Sequence, residues 1–204
     1  MRKVLLFLTL FFILTACSEE KTEPSNELTV QPLELSEKET TLVNKTGIGY
    51  IEYFTLNGTL HEQNELVFEV EVFENGKSRI GTKSFGSINK EFEDTIVSFG
   101  TTSTTGEGTM DILVGTPSGL TSQQFEPETK ISGSMFQKFI HEEKDVVLNQ
   151  PIYLAAFAGT NKNHMTTLGG EDYKSQRKQL KKQDLAIALR VTVVNKQEIT
   201  PKSK

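Results

Sequence analysis

The side chains able to do chemistry are few and dispersed along the 204 residues. His61, His141 and His164 are far apart in the chain. His141-Glu142-Glu143 does not continue as HExxH, which needs a second histidine one helical turn on so that both reach one metal; Asp145 stands there instead. The three read as solvated surface histidines, and no cofactor or metal is expected. Glu69 and Glu71 share one face of an extended stretch, roughly 7 Å apart by strand rise, near the spacing used by inverting glycosidases. The preferred reading is an exposed acidic face that discourages edge pairing and keeps the domain soluble. "TTGEGT" has glycines but no Gly-Lys-Ser/Thr to cradle a phosphate, and reads as a hairpin tip. "GTPSG", Gly115 to Gly119, reads as a turn. "SGSM", Ser132 to Met135, departs from the G-x-S-x-G nucleophile elbow. No catalytic residue is assigned.

The most pointed feature is a run of cations. Lys174, Arg177, Lys178, Lys181 and Lys182 concentrate positive charge in "EDYKSQRKQLKKQ", residues 171–183. They are the candidate contacts for an anionic partner such as a wall polymer, lipid headgroups or an acidic protein. The competing reading is a solvated helix closing an insertion before the last strand. Helix formers fill the segment, Gly169-Gly170 precede it, acids open it and cations close it, which suits the helix dipole.

The elements that must carry these residues read mostly as strands. "ELVFEVEVFE", Glu65 to Glu74, alternates with period 2, setting Leu66, Phe68, Val70 and Val72 on one face. Asn75-Gly76 follows. A three-residue loop, Glu74-Asn75-Gly76, with Gly76 left-handed, pairs Val70 with Ile80 and Glu71 with Arg79, apolar with apolar and charge with countercharge. That register is the expected one. Ile48 to Leu56, Thr95 to Gly100 and Thr109 to Val114 read as further strands, the last two as a hairpin. Val146 to Ala158 carries Pro151 and is expected to be an edge strand or to bend there. "LAIALRVTVVN", Leu185 to Asn195, is the best core strand. About seven strands point to an antiparallel β-sandwich, Ig-like in shape by analogy alone, with one short helix. Its expected extent is 46–200, with 201–204 a disordered tail.

Arg2 and Lys3 precede an apolar run, Val4 to Leu14, broken only by Thr9. The run is too short to span a bilayer and has the form of a secretory signal. It ends in Leu14-Thr15-Ala16-Cys17, which resembles the lipobox of bacterial lipoproteins. The resemblance implies cleavage after Ala16 and a diacylglycerol on the Cys17 sulfur. Cys17 is the sole cysteine, with neither a disulfide partner nor a companion metal ligand. Loss of residues 1–16 removes Arg2 and Lys3 and no acid, leaving 20 basic against 27 acidic residues and a net charge of −7. An acidic exterior without a clustered basic footprint argues against nucleic acid. Residues 18–45, acid-rich with Pro24 and Pro32, read as a flexible tether reaching on the order of 30 Å. Leu28, Val30, Leu33 and Leu35 are the exception and suit an edge strand docked on the domain.

The expected protein is thus lipid-anchored on the extracytoplasmic face of a cell membrane. There it acts as a non-enzymatic binding or accessory module, partnered by an envelope protein or an anionic wall polymer. The alternative is an envelope hydrolase whose site forms only in three dimensions.

Overall fold

A computed structural model describes residues 27–86, 89–102 and 108–199. Among the described residues, eleven strands build two antiparallel sheets. One has the order β7 (Gly119–Phe125), β6 (Met110–Thr116), β5 (Glu91–Thr102), β2 (Ile48–Thr59), β1 (Glu27–Pro32) and β9 (Lys144–Asp145). The other runs β4 (Lys77–Phe85), β3 (Asn64–Glu74), β11 (Leu185–Asn195), β10 (Ile152–Thr160) and β8 (Gly133–Lys138). Period-2 alternation dictates the packing: each strand turns one set of side chains to the facing sheet. Phe54, Leu56, Val97 and Phe99 from the first sheet meet Phe68, Val70, Ile187 and Leu189 from the second in one buried cluster. The protein is a β-sandwich of the expected class. The expected core strand is β11, in the middle of its sheet between β3 and β10.

Residues 27–45 were expected in the tether, with Leu28, Val30, Leu33 and Leu35 suited to a docked edge strand; the docked strand is present, but it is not an edge and the stretch is not a free tether. Glu27–Pro32 forms β1, laid along β2 from Glu27↔Thr59 to Pro32↔Phe54 and flanked by β9 on its other side. Leu28 and Val30 are 1% and 0% exposed, so two apolar side chains at alternate positions outweighed a polar local composition. Glu37–Asn44 forms a helix, α1, closed by a capping box between Ser36 and Glu39. Cys17, the signal, residues 18–26 and the tail 201–204 lie outside the described residues.

The β3–β4 hairpin also corrects its expected register. Asn75 (φ 52°) and Gly76 (φ 75°) are both left-handed, the two-residue turn whose twist matches its strands. Val72 therefore pairs with Arg79 and Glu71 with Ile80. The expected register matched faces along an unbroken ladder. In the structure a bulge at Gly81 shifts the pairing to Val70↔Thr82 and Glu69↔Lys83. Arg79 does not need a carboxylate opposite it, because its guanidinium lies 5.7 Å over the Phe125 ring.

Pro151 stands just before β10, where the chain leaves β9 in one sheet for β10 in the other. The chain turns just before Pro151, where the Gln150 N–H bonds the Val147 carbonyl at 3.1 Å, but β10 is an interior strand between β11 and β8 and not the expected edge strand. Its first residue, Ile152, takes up the ladder that Pro151 cannot donate to.

Candidate functional site

The outer face of the second sheet carries a second, smaller core beneath a helix, α2 (Tyr173–Leu180). Small residues on β10 and β11, Ala156, Ala158, Ala186 and Ala188, let the helix approach the sheet; Leu168 and Leu180 fill the space above them. Asp172 caps α2, its carboxylate accepting from the Ser175 N–H at 2.7 Å. Beside this apolar patch lies a polar one built from four strands and the helix.

Glu71 is its centre, 2% exposed. One carboxylate oxygen accepts from Arg177 Nη2 at 2.6 Å and Nε at 3.1 Å. The other accepts from the Tyr153 hydroxyl and lies 3.5 Å from Arg190 Nη1. Arg177 also donates to Ser78 Oγ at 2.9 Å and lies over the Phe73 ring. Glu69 accepts from Arg190 Nη2 at 2.7 Å and Nε at 3.0 Å, with Lys83 Nζ at 3.5 Å. Arg190 Nη1 donates to the Tyr173 hydroxyl at 2.7 Å, and the Tyr153 and Tyr173 rings stack with centroids 4.8 Å apart.

Burial pushes the Glu71 carboxyl toward its neutral form, but hydrogen bonds from Arg177 and Tyr153 and the charges of Arg177 and Arg190 outweigh it and hold its pKa below the usual carboxylate range. Burial first, and then the Glu71 carboxylate, push the Tyr153 phenol up, so it stays protonated and keeps donating. This is the reverse of what a glycosidase acid requires. The expected exposed acidic face is thereby corrected. The helix that covers Glu71 enters the chain about 100 residues later, beyond the reach of any local pattern.

The five cations of the 171–183 segment divide. Arg177 turns inward to Glu71. Lys174, Lys178, Lys181 and Lys182 stay exposed. Lys174, Lys178 and Lys181, with Tyr173, Arg177 and Arg190, line a shallow depression of about 460 Å³. Arg190, Tyr153 and Tyr173 were missed in the sequence, although Arg190 is the one charge inside the apolar run of β11 and an arginine there demands a partner. His141 and His164 are exposed, and His61 is half-buried, its Nδ1 accepting from the Gln63 N–H at 3.3 Å. Among the described residues no group of three or more His, Cys, Asp or Glu side chains converges as metal ligands.

No curated protein and no solved structure matches the chain. The YgaN domain matches residues 29–193, from the third residue of β1 to Val193, two residues before the end of β11. That span takes in both sheets, the Glu71 cluster and α2, and the chain belongs to the YgaN domain family.

Proposed function

We propose that this protein is a membrane-anchored, extracytoplasmic lipoprotein whose β-sandwich is a non-enzymatic binding or accessory module at the cell envelope. The observation that carries the reading is Leu14-Thr15-Ala16-Cys17, with Cys17 the sole cysteine. Two acyl chains on a lipidated N-terminal cysteine hold a protein stably where one would be marginal. The binding role rests on the division of charge around α2. The acids of the buried cluster are neutralised by Arg177 and Arg190. The lysines at Lys174, Lys178, Lys181 and Lys182 remain outside, facing solvent. A clamped helix presenting exposed lysines on an acidic protein suits an anionic wall polymer or an acidic envelope protein.

Two experiments test this. Cys17→Ala followed by cell fractionation is expected to move the protein out of the membrane fraction; unchanged membrane association refutes the anchor. Replacing Lys174, Lys178, Lys181 and Lys182 with Gln is expected to reduce retention on isolated walls or anionic liposomes and to flatten its salt dependence. Equal retention refutes the lysine contact. Arg177 is kept, because its removal would unseat the helix and confuse the result.

A further inference from the structure

Among the described residues, one edge of β2 in the first sheet is left unpaired at its start. β1 pairs with β2 only as far as Pro32↔Phe54. One more bond, from Leu33 N–H to Tyr53 O at 2.9 Å, ends the ladder, and the chain then departs to form α1. On its opposite edge β2 continues to pair with β5 without a break from Tyr50↔Thr101 to Tyr53↔Ser98. Main-chain groups alternate sides along such a ladder, so the N–H and C=O of Ile51 point the same way as those of Tyr53, to the side that β1 has left. No other described strand pairs with β2 there.

That open edge lines a cleft of about 410 Å³ whose walls include Leu33, Leu35, Tyr50, Phe136 and, from α1, Val43. β8, across the cleft, is itself the last strand of its sheet. The interior surfaces of the two sheets meet here through Tyr50 stacked on Phe136, centroids 6.0 Å apart, and through Lys138 bound to Glu34 at 3.1 Å and Glu52 at 3.6 Å. Tyr50 is 45% exposed, and none of the eight residues of α1 is buried. The helix therefore borders the cleft without being packed into the core.

We propose that this cleft is a peptide-binding site in which an extended segment of a partner protein adds as a strand to β2 beside Ile51. Strand addition supplies main-chain hydrogen bonds, and pockets for alternate side chains supply selection. Side chains of the added strand that point inward meet Phe136 and the pair Glu34 and Glu52, two carboxylates sharing a single lysine. The segment is therefore one of alternating apolar residues with a basic residue at an inward position. The site is separate from the lysines of α2 and does not depend on them.

The test uses the full chain in detergent and dye-labelled nonapeptides of alternating Val and Thr with Lys, Glu or Pro at the centre, followed by fluorescence anisotropy and by amide exchange. The Lys peptide is expected to bind at least tenfold more tightly than the Glu peptide, the Pro peptide to fail, and binding to slow exchange across residues 48–53. Ile51→Pro, which removes a donor outside the β2–β5 ladder, is expected to abolish binding. Glu34→Gln with Glu52→Gln is expected to erase the preference for Lys over Glu, and keeps the proposal testable where the proline variant fails to fold. No binding of the Lys peptide at millimolar concentration, slowed exchange away from residues 48–53, or an unchanged preference in the double variant overturns it. Protection of the cleft by soluble wall glycan and not by the peptides also overturns it.

Discussion

Glu71 is acidic, sits on a strand whose neighbours alternate, and yet is buried. Its burial is tolerated because Arg177, Tyr153 and Arg190 satisfy the carboxylate from three other elements. Removing one partner of a buried pair leaves the other uncompensated. Glu71→Ala is expected to cost about 3–5 kcal/mol, read from the denaturant midpoint, while Tyr153→Phe, which removes one hydrogen bond to a charged acceptor, is expected to cost about 1.5–3 kcal/mol. The same carboxyl sets an acid limb. Its folded pKa lies below its unfolded value, so its contribution is complete above the ordinary carboxylate value, about 4.3, and is lost as pH falls through the folded value. The wild-type midpoint should fall on that descent more steeply than that of Glu71→Gln, measured by urea unfolding from pH 7 to pH 3.

At the scale of elements, turn chemistry and hydrophobic alternation decided different things. Alternation was enough to find β3 and β11, because each buries an apolar set on the inner face. It missed β7 and β8, whose burial is patchy, and the two-residue β9. The β3–β4 register was decided by the left-handed pair Asn75-Gly76 together with the bulge at Gly81, neither of which leaves a hydrophobic signature. Gly76→Ala forces a Cβ into the left-handed region and is expected to cost about 1–2 kcal/mol in thermal or denaturant unfolding. Gly58 is bound more tightly still: at φ 111° its added Cβ would fall 1.6 Å from the Glu27 carbonyl oxygen, so β1 could not lie beside β2.

For the whole molecule, the domain begins earlier than its composition suggests. β1 closes the first sheet between β2 and β9, and Leu28 and Val30 are part of the inter-sheet core. A chain starting at Glu27 is expected to keep a cooperative melt. One starting at Leu33 is expected to lose it, because each buried aliphatic side chain removed costs about 2–5 kcal/mol against a total stability of about 5–15 kcal/mol. Circular dichroism melts of the two truncations check this.

By itself the sequence determined the sandwich class, the core strand β11, the cation-bearing helix and the Cys17 motif. These rest on local signals: period-2 alternation, helix-favouring composition, and four contiguous residues. Tertiary structure alone decided the rest. Glu69, Glu71, Tyr153, Tyr173, Arg177 and Arg190 are spread over about 120 positions and meet only because β3, β11 and β10 are neighbours in one sheet with α2 laid across them. Whether a charge on a strand faces water or a partner depends on what covers that face, and the covering element is encoded elsewhere in the chain.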